Sequence, residues 1–209
     1  MTILSCSELP DPEPGNCWAG RFGHPDTREL LELKSSGLFQ RRFRQKRWCY
    51  IGIFHPDIIF GCAVIHLGYI SSAFLFGFDR EKRQMVEKTF VFPPIGQVRY
   101  DRNPEKGICS YRSLTGDLHI SHGLPLKPTS IRARSRMPGK FLSADIEMVL
   151  PDTGFDPVHF LMPMDKGRRA FTTKAAGLTG RGKITLNNRS IHLEPDNTFA
   201  ILDWTNGFY

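Results

Sequence analysis

Asp203 and Trp204 follow the apolar run Phe199-Ala200-Ile201-Leu202 and precede the turn-like triplet Thr205-Asn206-Gly207. A carboxylate placed there suits the mouth of a barrel, as a general acid or hydrogen-bond acceptor, with Trp204 as a ligand wall. The same two residues also suit a turn cap and a core aromatic. Lys174 ends the alternating Phe171-Thr172-Thr173 and offers an ammonium for Asp203 or for an anionic head group. The plainer alternative is a solvated lysine at a strand end. The seven histidines and five cysteines make no HxH, HExxH or CxxC spacing, so no metal site or cofactor is expected. His119 and His122 are three apart in a strand-like segment, which sets them on opposite faces. Gly177, Gly180 and Gly182 open no predicted helix, so they read as hairpin geometry and not as a phosphate cradle. No nucleophile motif of the common hydrolases occurs.

The elements that would position these residues are strands. Arg47 to Phe78 is the longest apolar region, and Trp48, Tyr50, Gly52 and Phe54 alternate with Cys49, Ile51 and Ile53 at a period of two. Ile58 to Ile65 is apolar on both faces, and Gly68 to Phe78 forms a third strand before the charged turn at 79–83. Further strands are expected at Gln84–Phe92, Gly107–Ser113, Asp117–Ser121, Thr129–Arg136, Phe141–Leu150, Val158–Met162, Arg168–Lys174, Arg181–Leu186, Arg189–Leu193 and Thr198–Trp204. Asn187-Asn188 supplies the hairpin turn between Leu186 and Arg189, and Ile95 to Lys106 reads as loop. The 16 phenylalanines, 19 glycines and 15 prolines favour many short strands with many turns over helices. The pattern predicts an all-β fold, an antiparallel up-and-down meander closing into a barrel or sandwich. Residues 1–39 read as an N-terminal arm with a short helix over Arg28–Lys34, and 40–209 as one barrel-like domain. Interior aromatics at Trp48, Tyr50, Tyr69 and Trp204 would line a site for a lipophilic small molecule.

A net charge of +7 admits anionic partners. Part of it lies in Arg41, Arg42, Arg44, Lys46 and Arg47, and part in Arg132, Arg134 and Arg136, which share one strand face opposite Ile131, Ala133 and Ser135. That face is either a solvated edge guard or a surface for anionic membrane or another polyanion. Without interleaved aromatics it is a poor nucleic-acid groove. Leu4-Ser5-Cys6 has only three residues before it, too few for a signal peptide, and no apolar run reaches the length of a membrane span. The cysteine pattern suits a reducing compartment, and the default expectation is a cytoplasmic protein.

Three segments carry a resemblance. Phe171-Thr172-Thr173-Lys174-Ala175-Ala176-Gly177-Leu178, Leu202-Asp203-Trp204-Thr205-Asn206-Gly207-Phe208 and Gly61-Cys62-Ala63-Val64-Ile65-His66-Leu67-Gly68-Tyr69 resemble segments of the bacterial domain-of-unknown-function family 2804. The likeness covers roughly residues 40 to 209. It implies a calycin/lipocalin-like barrel, distantly similar to the carotenoid 1,2-hydratase (hydroxyneurosporene synthase) group, whose members hold lipophilic molecules in or between barrels. It establishes no activity. It also implies that the chain corresponds to an amino-terminal half, with a C-terminal half or a second copy as partner. Where relatives often carry Asp in the early strand pair, this chain has His66, the third candidate for acid–base chemistry beside Asp203 and Lys174.

Overall fold

The computed structural model describes residues 17–19, 38–92, 98–101, 106–123, 127–152, 157–164 and 168–209. Among the described residues, fourteen antiparallel strands make one sheet and there is one short helix. The first run is β1 (Cys17–Ala19), α1 (Leu38–Phe43), β2 (Gln45–Phe54), β3 (Ile58–His66), β4 (Ser71–Asp79) and β5 (Gln84–Phe92). The second is β6 (Val98–Tyr100), β7 (Gly107–Ser113), β8 (Gly116–His122), β9 (Thr129–Met137) and β10 (Lys140–Val149). The last is β11 (Val158–Pro163), β12 (Arg169–Leu186), β13 (Arg189–Leu193) and β14 (Phe199–Phe208).

Within each run, period-two alternation decides which face is buried. In β9, Ile131, Ala133 and Ser135 point inward while Arg132, Arg134 and Arg136 point to water. The strand order is β5-β4-β3-β2-β14-β12-β10-β9-β8-β7-β6, with β11 and β13 also paired to β12. Two sequential meanders, β2–β5 and β6–β10, are thus stitched together by β12 and β14. The sheet then curls until its two halves face each other. The Phe90 ring of β5 lies 4.8 Å from that of Tyr111 in β7, and the Tyr100 hydroxyl of β6 sits 2.6 Å from the Trp48 carbonyl of β2. Between the halves Trp204, Phe60, Ile51, Leu75, Leu118, Ile120, Ile131 and Leu142 are fully buried. Each contributes about 1.5–3 kcal/mol by leaving water. The result is the expected all-β antiparallel architecture, as a curled half-barrel. Among the described residues its path ends at β5 and β6 with no ladder between them.

Several local expectations change. Arg168–Lys174 and Arg181–Leu186 are not separate strands but parts of the 18-residue β12. The intervening glycines bend it without ending it. Its register to β14 shifts between Ala175 and Leu178, a bulge, and Gly177 at φ 70° and Gly182 at φ 137° take conformations a side chain resists. The triplet Thr205-Asn206-Gly207 is not a turn either, because β14 runs to Phe208 with β2 on one side and β12 on the other. Val98–Tyr100, expected as loop, is β6. The helix expected over Arg28–Lys34 lies outside the described residues, as do residues 1–16 of the expected arm. The Asn187-Asn188 hairpin is present, with Asn187 at φ 52°. No described helix is long and apolar enough to cross a membrane.

Candidate functional site

Strand pairing turns single residues into rows across the inner face of the sheet. At one end of that face the row reads Phe171 (β12), Asn206 (β14), Arg47 (β2), His66 (β3) and Ser71 (β4). The next rows in, Trp204–Cys49–Val64–Ala73 and Leu202–Ile51–Cys62–Leu75, are the apolar core. Four adjacent strands therefore place a polar group at the same level, at the threshold of an otherwise apolar interior. Asn206 and Ser71 are buried there. Gln45, one row further out, donates from Nε2 to Asn206 Oδ1 at 3.0 Å. From the facing half, Tyr100 lays its ring 5.9 Å from that of Trp204 and 5.4 Å from the Arg47 guanidinium. Its hydroxyl lies between the carbonyls of Trp48 and Thr205, at 2.6 and 2.9 Å.

The hydrogen bonds set the protonation of His66. Its Nδ1 accepts from the Gly68 amide at 3.0 Å and faces Arg47 Nη2 at 3.2 Å. A guanidinium can only donate, so Nδ1 is bare and the neutral ring carries its proton on Nε2. Burial, then the Arg47 charge, lower the His66 pKa to about 4, against a smaller opposing effect of its own backbone hydrogen bond. At neutral pH His66 is a neutral N–H donor, as Arg47 is a charged one. With its oxygen taken by Gln45, Asn206 presents its amide N–H groups. Two further groups are fully buried with no hydrogen-bond partner among the described residues: the Ser71 hydroxyl and the Trp204 indole N–H. Such groups cost roughly 1–3 kcal/mol each when left unmade. Burial, then the nearby Cys109 and Cys49 thiols, push the Tyr100 phenol well up, so it stays protonated. The set is rich in donors and poor in acceptors, which suits a carbonyl or carboxylate oxygen and can stabilise negative charge developing on it.

The residues singled out in the sequence fall on both faces of this sheet. His66 and Trp204 belong to the inner face; Trp204 is wholly buried, its ring edge-on to Phe171 at 6.2 Å. On the outer face Lys174, Asp203 and Tyr50 share one row. Lys174 Nζ donates to Asp203 Oδ2 at 2.7 Å, and Thr205 Oγ1 lies 3.5 Å from Asp203 Oδ1. Tyr50 lies 6.2 Å from Phe74, ring to ring, and Trp48 lies 6.1 Å from Tyr209. Tyr69 stands apart, in the turn between β3 and β4. Sequence reasoning missed Arg47, Asn206, Gln45, Ser71 and Tyr100 as site residues. Arg47 was hidden in a basic cluster and Asn206 in an apparent turn, while the burial of Ser71 depends on the opposite half of the sheet.

Arg132, Arg134 and Arg136 line the outer face of β9, and the first two border a surface groove of about 360 Å³ with Asp117, Ser143, Asp145, Lys183 and Thr185. Arg132 Nε lies 3.8 Å from Asp145 Oδ1, and Arg134 is in register with Asp117. Acidic neighbours thus accompany two of the three arginines. No three His, Cys, Asp or Glu side chains among the described residues are grouped to hold a metal ion. Cys109 Sγ and His122 Nε2 approach to 3.7 Å.

Comparison with known proteins follows from this geometry. Among solved structures the chain is similar to a Nitrosomonas europaea protein with the provisional name AttH. The identity is 12% and the TM-score 0.49, over 80% of this chain and 52% of that one. It is also similar to kievitone hydratase from Nectria haematococca, at 13% identity and a TM-score of 0.44, over 87% and 54%. The chain therefore spans about half the length of each. No curated protein matches it in sequence. The family described as a domain of unknown function (DUF2804) matches residues 22–209, and the chain belongs to that family.

Proposed function

We propose that this domain binds a lipophilic small molecule at the open end of its curled sheet, holding a carbonyl or carboxylate oxygen of that molecule against Arg47, His66 and Asn206. One observation carries the reading: a donor-rich polar row crosses four strands at the edge of an apolar interior. Two hydrogen-bonding groups there are buried without a partner among the described residues, Ser71 Oγ in the row itself and Trp204 Nε1 in the next row. The same donors would favour an enolate or oxyanion in a reaction on such a molecule, with His66 neutral throughout the physiological range.

The reading is tested with a fluorescent long-chain fatty acid and its methyl ester, titrated into the purified chain. Micromolar binding of the acid is expected. Arg47→Met should weaken it at least about tenfold, equivalent to about 1.4 kcal/mol, and weaken the ester less. His66→Gln keeps an N–H donor and should cost only a few-fold. Equal affinity for acid and ester in the parent chain, or no loss in a folded Arg47→Met variant, would overturn the assignment.

A further inference from the structure

The rim around this end of the sheet has a composition of its own. From Leu33 to Pro56 the chain carries no Asp or Glu, yet it holds Lys34, Arg41, Arg42, Arg44, Lys46 and Arg47. In the same stretch α1 places Phe39 and Phe43 one turn apart, with ring centroids 4.7 Å from each other. Phe43 stacks on Tyr69 of the β3–β4 turn at 6.0 Å, and Lys46 Nζ sits 4.6 Å over the Tyr69 ring. This ladder of three rings is ordered but not buried: Phe39 is 68% exposed, Phe43 43% and Tyr69 46%. Arg42 and Arg44 beside it are exposed as well.

We propose that this rim docks onto an anionic lipid bilayer, the rings entering the interface and Arg42, Arg44 and Lys46 meeting the head groups. Aromatic side chains stacked in water keep much of their apolar area wet, and they gain by insertion at head-group level. Basic residues at the surface are attracted to the negative potential of an anionic leaflet. Charge points to an anionic surface, because no carboxylate in the segment opposes these cations. Position points the same way: Lys46 precedes Arg47, and Gly68, which bonds His66, precedes Tyr69 in the rim turn. A docked rim turns the polar row toward the membrane, a source of lipophilic molecules. That last step rests on the ligand reading above, whereas the docking itself does not.

Co-sedimentation with phosphatidylcholine vesicles, with and without phosphatidylserine, tests the docking. Binding is expected only with the anionic lipid, falling steeply as salt is raised. The double variant Phe39→Ser, Phe43→Ser should lose at least about tenfold in vesicle affinity and keep its affinity for the fatty-acid probe in solution. Arg42→Ser with Arg44→Ser should weaken vesicle binding and flatten its salt dependence. The triple change of Arg132, Arg134 and Arg136 to Ser should leave vesicle binding unchanged. Loss in the triple variant but not in the Phe39/Phe43 variant would overturn the proposal in favour of the β9 face. So would indifference of the parent chain to anionic vesicles, or a concentration-dependent dimer without vesicle binding that the Phe39/Phe43 variant abolishes. Failure of the fatty-acid probe to bind, with docking intact, would remove the ligand reading alone.

Discussion

Gly182→Ala is expected to lose most of the stability of the folded state, by about 4 kcal/mol or more. Two separate penalties meet at this position. Its φ of 137° is one that a residue with a Cβ rarely adopts. An added Cβ would also stand 2.2 Å from the Asp145 carbonyl oxygen and 2.9 Å from the Ile146 Cα. Both atoms are backbone of the paired strand β10, so no flexible side chain can yield. Relief requires β12 and β10 to separate where Gly182 faces Ile146. That ladder is one of the three that join the two meanders. Gly139→Ala is the control, since its φ of 69° is equally left-handed but nothing lies within 4 Å of the added carbon. It should cost only about 1–2 kcal/mol. Urea unfolding of both variants checks the difference, and equal losses would show that conformation alone, and not the strand contact, governs Gly182.

Arg189→Ala should destabilise the protein measurably at neutral pH, less than the loss of a wholly buried pair because the arginine is a quarter exposed. Arg189 begins β13, and its Nη1 reaches Asp79 at the end of β4 at 2.9 Å and Glu81 at 2.8 Å. The Asp79 side chain is almost wholly buried. Burial acts to raise its pKa, but the Lys82 amide, the Arg189 hydrogen bond and the Arg189 charge outweigh that and hold it below the usual carboxylate value. A depressed carboxyl pKa contributes stability that is fully present above the unfolded value of about 3.9 and is lost as pH falls through the folded one. The parent chain and Arg189→Ala should therefore converge in stability as pH falls through the folded pKa of Asp79.

His66 acts in a different window. Its folded pKa of about 4 lies below the unfolded 6.5, so between those values the unfolded chain binds the extra proton. Stability therefore declines as pH falls across that interval, and His66→Gln should flatten the decline while leaving the lower step intact. Denaturation midpoints measured from neutral to acid pH separate the two effects. A gap between parent and Arg189→Ala that stays constant into strong acid would remove Asp79 from the account.

Most strands were legible because one wet and one dry face impose a period of two on the side chains. Leu142, Ala144, Ile146 and Met148 are buried as their alternation requires. The same rule misread glycine and asparagine. Gly177, Gly180 and Gly182 look like turn residues, and so does Thr205-Asn206-Gly207. Thr205-Asn206-Gly207 is paired on both sides, by β12 and β2; Gly180 and Gly182 pair with β10; and Gly177 sits in the bulge where β12 slips against β14. Hydrogen-bond partners distant in the chain overrode a local preference worth only about 1 kcal/mol per glycine.

The polar row was the least legible feature. Gln45 and Asn206 are 161 residues apart, and Arg47 meets His66 only through the pairing of β2 with β3. His66 was marked by the resemblance, at a place where relatives often carry Asp, but nothing local showed that Asn206 and Ser71 would share its row. By itself the sequence determined the strand content, the alternation of faces and the basic cluster from Arg41 to Arg47, because all three follow from neighbours a few residues apart. Only the tertiary structure decided that β14 lies between β12 and β2, and so which polar side chains face one another. Antiparallel register between distant strands is set by packing the whole inner face at once, which no short stretch of chain encodes.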